Sequence, residues 1–231
     1  MNKLHRIAVR PFTKYLSQLI FSTKGSKGYW ETRYALGGSS GGGSYGRLAE
    51  FKAEVLNDLI AEFHINTIIE LGCGDGNQTS LLSANVNYLG LDISPTVIKR
   101  NLDRFDSDPK KDFLVFDCCC QKNIRNFLSV DMAISLDCLY HLVEQDIYEN
   151  YLKTLFDIAK YVVIYASDDE NIKSKDAHVC IRAFTPYIAE HFKTFRLVRK
   201  IDNKYHSDQY DKSGTDEWSW SDFFVYRKIE T

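Results

Sequence analysis

Residues 67–76 read Thr-Ile-Ile-Glu-Leu-Gly-Cys-Gly-Asp-Gly, a short apolar run that ends in three alternate glycines. The β-branched residues at its start predict a buried strand. Gly72, Gly74 and Gly76 would let the backbone turn tightly and approach a ligand that any Cβ would touch. The dinucleotide fingerprint instead places its third glycine three positions after the second. Glu70, just before the turn, would repel a pyrophosphate and suit a cationic ligand. A structural glycine turn and a nicotinamide site are the alternatives.

Acidic residues end the next two predicted strands. Residues 88–92 predict a second strand, and its last residue, Asp92, lies about 20 positions beyond the glycine-rich loop, where a carboxylate can accept hydrogen bonds from ribose hydroxyls. Ser94-Pro95 then predicts the N-cap and first residue of a helix, for which Asp92 is the alternative cap. Residues 112–117 predict a third strand that ends in Asp117, either a ligand-binding acid or a solvated turn residue.

A fourth predicted strand, residues 132–135, leads into the segment Ser135-Leu-Asp-Cys-Leu-Tyr-His141. Ligands of open α/β sheets bind outside the carboxyl ends of parallel strands, at the point where the strand order reverses. We therefore expect residues 135–141 to border the ligand.

These landmarks resemble the E/D-x-G-x-G-x-G signature and the strand-end acids of class I S-adenosylmethionine-dependent methyltransferases. The resemblance implies a Rossmann-like α/β fold with a doubly wound seven-stranded sheet, mostly parallel with an antiparallel last strand. It also implies S-adenosyl-L-methionine as the cofactor, with the Asp117 side chain and the Cys118 backbone at the adenine ring. The cofactor-binding residues that it implies are Glu70, Gly72, Cys73, Gly74, Asp75, Gly76, Asp92, Ile93, Asp117, Cys118 and Ser135.

The chain from residue 29 to about residue 228 resembles a bacterial branch of these enzymes with an N-terminal YWExRY/GGxSG motif. The motif reads Tyr-Trp-Glu-Thr-Arg-Tyr at 29–34 and Gly-Gly-Ser-Ser-Gly at 37–41. This resemblance indicates the fold and the cofactor far more than the substrate. It suggests substrate-binding roles for Tyr34, Tyr140 and Arg182, with a surface ion pair as the alternative for Arg182.

Residues 37–46 are rich in glycine and serine, and aromatic and basic residues flank them on both sides. This composition predicts a lid that closes over a ligand, with a flexible linker as the alternative. Apolar residues at helical spacing then predict a helix that runs to residue 63. We therefore expect one methyltransferase domain over residues 29–231, whose first part, 29–63, is the lid and helix.

Residues 1–28 form a predicted basic N-terminal arm, because lysines and arginines occur there without any acid before Glu31. Its apolar residues follow a partly helical spacing that Pro11 interrupts. An arm that packs on the domain or binds a partner is favoured over peripheral contact with a membrane. No run approaches the roughly 18 apolar residues of a membrane-spanning helix, and no secretory signal is indicated.

The composition sets limits on partners and location. The chain has 231 residues, long for one domain and short for two, and a formal net charge of −2. That charge gives no general attraction for nucleic acid, so no nucleic-acid partner is expected. The 6 cysteines contain no CxxC pair, which indicates reduced thiols in a cytoplasmic protein and no metal site. A redox role for the cysteines at 118–120 is the alternative.

The remaining elements complete the predicted sheet. The predictions are helices at 151–159 and 184–192, a fifth strand at 161–166, and two last strands at 195–201 and 223–227 that pair antiparallel. Residues 202–221 predict a long loop, and loops of such length are usually functional or disordered.

In a methyltransferase the sulfonium makes the methyl carbon electrophilic, so the enzyme mainly aligns an acceptor and excludes water. His141 is the first candidate base, because its unperturbed pKa lies near neutrality. A histidine that packs beside the cofactor is the alternative. Asp137 and Tyr140 would orient His141 or the acceptor, and His178 is the second candidate base.

We expect methyl transfer to an oxygen or nitrogen atom of a small molecule or saccharide. The alternatives are a non-catalytic cofactor-binding partner or regulatory subunit, and a methyltransferase that acts on a macromolecule. The intact glycine loop and the strand-end acids favour an enzyme. Enzymes that methylate amino groups of nucleic acids would carry Asn/Asp-Pro-Pro-aromatic after the fourth strand, where this chain reads Asp137-Cys-Leu-Tyr140.

Overall fold

A seven-stranded sheet forms the centre of the protein. The computed structural model describes residues 3–120, 129–206 and 218–229. The strands are β1 (Thr67–Leu71), β2 (Asn87–Asp92), β3 (Lys111–Val115), β4 (Val130–Leu136), β5 (Ala159–Ala166), β6 (Phe195–Ile201) and β7 (Asp222–Lys228). Their order across the sheet is β3-β2-β1-β4-β5-β7-β6.

One strand of the sheet, β7, runs against all the others. Strands β1 to β5 pair in parallel with their neighbours, whereas β7 pairs antiparallel with both β5 and β6. The prediction of a mostly parallel sheet with an antiparallel last strand is therefore confirmed. The strand order reverses between β1 and β4, which places a ligand-binding crevice at the carboxyl ends of these two strands.

Helices cover both faces of the sheet. The α-helices of the described residues are α1 (Lys3–Ala35), α2 (Gly46–Glu62), α3 (Pro95–Arg104), α4 (Gln145–Asp157) and α5 (Phe184–His191). Leu152 of α4 packs in one core cluster, and Leu59 of α2 packs in the other. Neighbouring residues of β5, Val162 and Val163, point into different clusters because successive strand side chains alternate between faces.

Some element boundaries differ from the predictions. Helix α1 continues past Pro11, and its non-helical backbone lies at Gly25 (φ 64°, ψ −170°), a conformation that glycine reaches without the steric cost of a Cβ. The helix predicted at 151–159 starts at Gln145 and ends at Asp157, because Ala159 already pairs with Val130 in the sheet. Residues 207–217 of the predicted long loop lie outside the described residues.

No α-helix in the described part of the chain is long and apolar enough to cross a membrane.

Candidate active site

A cavity of about 280 Å³ lies at the carboxyl ends of the central strands. Its size is close to the lower limit of roughly 300 Å³ for small-molecule sites. The predicted cofactor-binding residues that line it are Glu70, Gly72, Cys73, Gly74, Asp75, Asp92, Ile93, Asp117 and Cys118. Gly76 and Ser135 do not line it. The cavity therefore brings together residues from the exits of β1, β2 and β3, as the sequence predicted.

The glycine loop has left-handed backbone at Gly72, Gly74 and Gly76, with φ of 77°, 56° and 72°. A Cβ on Gly72 would lie 2.5 Å from Cys138 Sγ, and one on Gly74 would lie 2.2 Å from Ser40 Oγ. The left-handed backbone agrees with the tight turn expected from the sequence, and the close packing of Cys138 and Ser40 is a second reason for glycine that the sequence did not indicate. No side chain fits at these glycine positions, so the backbone of the loop itself can approach a ligand.

Two predicted residues lie behind the cavity wall. A Cβ on Gly76 would come within 2.7 Å of Asn101 Oδ1, so Gly76 permits close packing against α3. The Tyr151 hydroxyl lies 2.8 Å from Ser135 Oγ and 2.6 Å from the Leu71 carbonyl oxygen. Ser135 thus contributes to the junction of β1 and β4, on the side of the sheet that faces α4.

Asp92 joins the glycine loop to the start of α3. Its carboxylate accepts hydrogen bonds from the Gly74 N–H and the Ser94 N–H, both at 3.0 Å. Ser94 is the N-cap of α3, as predicted, and its Oγ accepts from the Val97 N–H. Burial raises the pKa of Asp92 to about 6, against the effect of these hydrogen bonds. The carboxylate lines the cavity at the position predicted for ribose recognition.

Glu70 is a buried carboxyl group at the cavity wall. The Tyr88 hydroxyl donates to its Oε2 at 2.6 Å, and burial raises the pKa of Glu70 to about 7. A buried carboxylate is stable when a cation lies beside it, so this side chain suits a positively charged ligand group.

Asp117 lies at the exit of β3 and bonds with the N-terminal helix. Lys27 Nζ of α1 is 3.0 Å from its Oδ2, and the Cys119 N–H donates to its Oδ1. Burial alone would raise the pKa of Asp117, but these partners outweigh burial and lower it.

Ligand atoms of Asp117, Cys118 and Cys119 lie within 4.8 Å of one another, a spacing that a metal ion could bridge. Burial raises the pKa of the Cys118 thiol well above its ordinary value, which opposes the thiolate that a metal needs. The carboxylate is also already paired with Lys27. This cluster is accordingly a poor metal site.

His141 ends a short 3₁₀ turn, Leu139–His141, and lines the cavity. Its Nδ1 lies 3.0 Å from the backbone carbonyl oxygen of His178. A carbonyl oxygen only accepts, so Nδ1 carries the proton and Nε2 keeps a lone pair. Burial lowers the pKa of His141 to about 4, and the imidazole is therefore neutral at pH 7. The Trp30 ring lies 4.8 Å from the imidazole, edge to face.

Asp137 makes its hydrogen bonds away from His141. Its carboxylate accepts from Lys52 Nζ at 2.7 Å, from the Tyr140 hydroxyl at 3.0 Å and from Ser221 Oγ at 3.2 Å. The Lys52 side chain is almost fully buried, and both it and Asp137 line the cavity, whereas Tyr140 does not. Among the described hydrogen bonds none joins Asp137 to His141.

His178 and Arg182 lie outside the cavity lining. The His178 ring stacks on Tyr29 at 4.4 Å between centroids. Arg182 donates to the backbone carbonyl oxygens of Leu142 at 2.8 Å and Val143 at 2.7 Å. Both residues therefore support the loop that carries His141, His178 through its backbone and Arg182 through its guanidinium.

The glycine- and serine-rich segment is bonded to the glycine loop. The Ser40 N–H donates to Asp75 Oδ2 at 2.7 Å, and the Asp75 N–H donates back to Ser40 Oγ at 2.9 Å. Tyr45 OH also donates to Asp75 at 2.8 Å, and Asn77 Nδ2 donates to the Ser44 carbonyl oxygen at 2.7 Å. Ser40 and Ser44 line the cavity, as does Tyr34.

Sequence reasoning missed the contribution of α1 before residue 29. Ser26 and Lys27 line the cavity together with Trp30 of the same helix, so the boundary predicted at residue 28 falls within one lining element. The signal available in the sequence was the pair Gly25-Ser26, a glycine and a potential capping residue just before the aromatic motif. Lys52 was also missed as a lining residue, whereas Cys138 falls within residues 135–141, which were expected to border the ligand.

Comparison with known proteins agrees with this geometry. A family model described as a methyltransferase domain matches residues 69–161. A search of curated proteins found no match. Among solved structures, the N-methyltransferase NodS from Bradyrhizobium japonicum WM9, in complex with S-adenosyl-L-homocysteine, is similar with a TM-score of 0.61 and 14% identity. That alignment covers 79% of this chain and 88% of NodS.

Two further solved structures are similar. An S-adenosylmethionine-dependent methyltransferase from Clostridium acetobutylicum ATCC 824 has a TM-score of 0.56 and 13% identity, over 77% of this chain and 91% of that one. Magnesium protoporphyrin IX methyltransferase (ChlM) from Synechocystis PCC 6803, with bound S-adenosyl-L-homocysteine, has a TM-score of 0.57 and 15% identity, over 78% and 83%. At these identities the likeness establishes the fold.

The matched domain, the glycine loop and the acids at the strand ends define the class of this protein. The chain thus carries a methyltransferase domain, matched at residues 69–161, within a Rossmann-like fold, and S-adenosylmethionine is the methyl donor of that domain.

Proposed function

We propose that this methyltransferase acts on an oxygen or nitrogen atom of a small molecule or saccharide, with His141 at the acceptor. The observation that carries the proposal is the state of His141. The residue lines the cavity and its ring is neutral, and Nδ1 is committed to the His178 carbonyl oxygen, which leaves Nε2 able to accept a hydrogen bond. A methyl acceptor with an N–H or O–H group would be oriented by that lone pair.

The chain's other residues would bind the cofactor and exclude water. When bound, S-adenosylmethionine supplies an electrophilic methyl carbon. Asp92 would accept from the ribose hydroxyls and Asp117 from the adenine amino group, and Glu70 would lie near a positive charge. Trp30 and Tyr34 of α1 would keep water from the reacting atoms.

The low basicity of His141 narrows the choice of acceptor. General bases work best when their pKa lies near the operating pH, and burial lowers the pKa of His141 to about 4. Such an imidazole orients a nucleophile well but removes a proton from an ordinary alcohol poorly. This favours an acceptor that is nucleophilic without prior deprotonation, such as a neutral amine, or one with an acidic hydroxyl group.

The size of the cavity supports a small acceptor, and the absence of disulfides among the described cysteines supports a cytoplasmic location. The cavity of about 280 Å³ would be shared by cofactor and acceptor, which suits a small acceptor rather than a macromolecule. No disulfide joins the cysteines of the described residues, at 73, 118, 119, 120, 138 and 180, as expected of a cytoplasmic protein.

The test uses purified protein and S-adenosylmethionine labelled in the methyl group. We expect the label to enter a member of a panel of small amines, phenols and saccharides, with stoichiometric release of S-adenosyl-L-homocysteine. His141→Gln should lower this transfer, and His191→Gln, an exposed histidine on α5, should not. Transfer only to protein, RNA or DNA fractions would contradict the proposal.

A further inference from the structure

Residues 26–35 of α1, here called the cap, lie over the cavity and are set apart from the rest of the helix by the non-helical backbone of Gly25. The cap residues that line the cavity are Ser26, Lys27, Trp30 and Tyr34. The carboxyl groups of Glu70 and Asp92 also line the cavity, and these residues are only 2% and 8% exposed. The cap therefore forms one wall of the cavity in which a cofactor would meet these two carboxyl groups.

The first residue of the cap is bonded to Glu144, which directly precedes α4. The Ser26 N–H donates to Glu144 Oε1 at 2.8 Å, and Ser26 Oγ donates to the other carboxylate oxygen. Burial alone would raise the pKa of Glu144, but the hydrogen bonds from Ser26 outweigh it and lower the pKa. The carboxylate is therefore charged at neutral pH, and hydrogen bonds to a charged group are among the strong ones.

The same serine is also bonded to the loop of the candidate catalytic histidine. Ser26 Oγ lies 3.2 Å from the backbone carbonyl oxygen of His141. Four residues further along the cap, the Trp30 ring packs against the imidazole. Displacement of Ser26 from Glu144 would therefore separate Trp30 from His141 and open this side of the cavity.

The other contacts of the cap differ in strength. Lys27 pairs with Asp117, but the Lys27 side chain is 62% exposed, and such pairs contribute little. The carboxylate of Glu31 accepts from the hydroxyls of Ser94 and Thr96 at the start of α3. The far end of the cap is thus held on α3, while its near end is held by Glu144 and by the stack of Tyr29 on His178.

Gly25 has the properties of a hinge for this segment. Its φ of 64° favours glycine, and a Cβ there would lie 2.6 Å from Glu144 Oε1. A hinge of this kind is a single position that absorbs a large change in backbone angles. A glycine is therefore required at the point where the cap meets its carboxylate.

We infer that Ser26 and Glu144 form a positioning pair that seats the cap over the bound cofactor and holds Trp30 against His141. Entry and exit of the cofactor then require this pair to separate, with Gly25 as the hinge. The inference rests on the proposed function only in that the cofactor occupies the cavity and His141 faces the acceptor.

Stopped-flow fluorescence with S-adenosyl-L-homocysteine tests the inference without any knowledge of the acceptor. The signal comes from Trp30, and a Trp30→Phe variant should lose it. In the wild type we expect the observed rate to level off at high ligand concentration, because opening of the cap becomes limiting. Ser26→Ala and Glu144→Ala should each raise that limiting rate and the dissociation rate about tenfold, as expected for loss of a charged hydrogen bond.

Affinity should change less than either rate, because both rates move in the same direction. Glu149→Ala is the matched control, an exposed carboxylate on the same helix that pairs with Gln145, and it should leave all rates unchanged. Glu144→Gln keeps an acceptor for the Ser26 N–H and should give an intermediate increase, which preserves the test if Glu144→Ala does not fold.

Rates that rise linearly with ligand concentration and are equal in the wild type, Ser26→Ala and Glu144→Gln would overturn the inference, since the cap would then be a fixed wall. Failure of the wild type to bind S-adenosyl-L-homocysteine is a different result. It would contradict the cofactor assignment itself and therefore the proposed function.

Discussion

The Nδ1 atom of His141 lies 3.0 Å from the backbone carbonyl oxygen of His178, so the proton position on one histidine is fixed by the main chain of the other. A second bond joins the same two loops, from the Cys180 N–H to the Tyr140 carbonyl oxygen at 2.7 Å. The orientation of the candidate base thus depends on backbone groups. The His178 ring stacks on the His141 ring at 5.4 Å between centroids, so the His178 side chain contributes packing while its backbone fixes the proton.

His141→Gln should lower turnover by roughly 10²-fold, because the acceptor loses the lone pair that orients it, with almost unchanged affinity for S-adenosyl-L-homocysteine. His178→Phe keeps the backbone carbonyl and an aromatic ring to stack on Tyr29, so its turnover should stay within about tenfold of the wild type. Initial rates with the acceptor from the panel, and calorimetry for the ligand, measure both. The reverse order of effects would assign the base to His178.

Binding of the cofactor should release protons near pH 7 because of Glu70. Burial raises the pKa of this carboxyl group to about 7 in the free protein. A bound ligand with an ammonium group favours the ionised form and lowers that pKa, so protons leave on binding and affinity increases as the pH rises through about 7.

Calorimetry of S-adenosyl-L-homocysteine in buffers with different ionisation enthalpies measures this release. Glu70→Gln carries no titratable proton, so release should largely disappear in that variant, apart from a smaller contribution of Asp92, whose pKa of about 6 lies further from neutrality. Proton uptake by the wild type on binding would show that no cation lies beside Glu70.

Gly74→Val should abolish ligand binding, whereas Gly42→Ala should not. At Gly74 the backbone is left-handed, and a Cβ would lie 2.2 Å from Ser40 Oγ. The left-handed backbone alone costs about 1–2 kcal/mol for a residue with a Cβ. At Gly42 nothing lies within 4 Å of a Cβ. Calorimetry that gives Gly74→Val the affinity of the wild type would remove the glycine loop from the site.

Residues of the site that are close along the chain could be placed from the sequence, whereas partners that are far apart along the chain could not. Glu70 and Asp92 lie on consecutive, adjacent parallel strands, and Gly74 lies in the loop after the first of them, so a local pattern sufficed to place them together. Lys52 and Asp137 are 85 positions apart, and Ser26 and Glu144 are 118 apart. No local pattern relates such pairs, because only the packing of the whole domain brings them into contact.

Strand alternation explains the placement of Ser135. The exit of β4 lies at the cavity, yet a one-residue difference decides which face of the sheet a side chain takes. Leu136 lines the cavity, whereas Ser135 faces Tyr151 of α4. The pattern predicted the strand end but not the face of each residue.

The segment of residues 37–46 should lose mobility when the site is filled. Its contacts centre on Asp75, whose carboxylate accepts from the Ser40 N–H, the Tyr45 hydroxyl and the Asn77 N–H. A lid held by a few hydrogen bonds opens on microsecond-to-millisecond timescales and can limit turnover. Hydrogen exchange of these amides should slow on addition of S-adenosyl-L-homocysteine.

Asp75→Ala removes the shared acceptor, so exchange should be faster in the free variant and the ligand should restore less protection. Asp103→Ala, which removes an exposed carboxylate of α3 paired with Lys99, is the control and should behave as the wild type. If ligand binding leaves exchange in residues 37–46 unchanged, the segment is a linker and the cavity is closed by α1 alone.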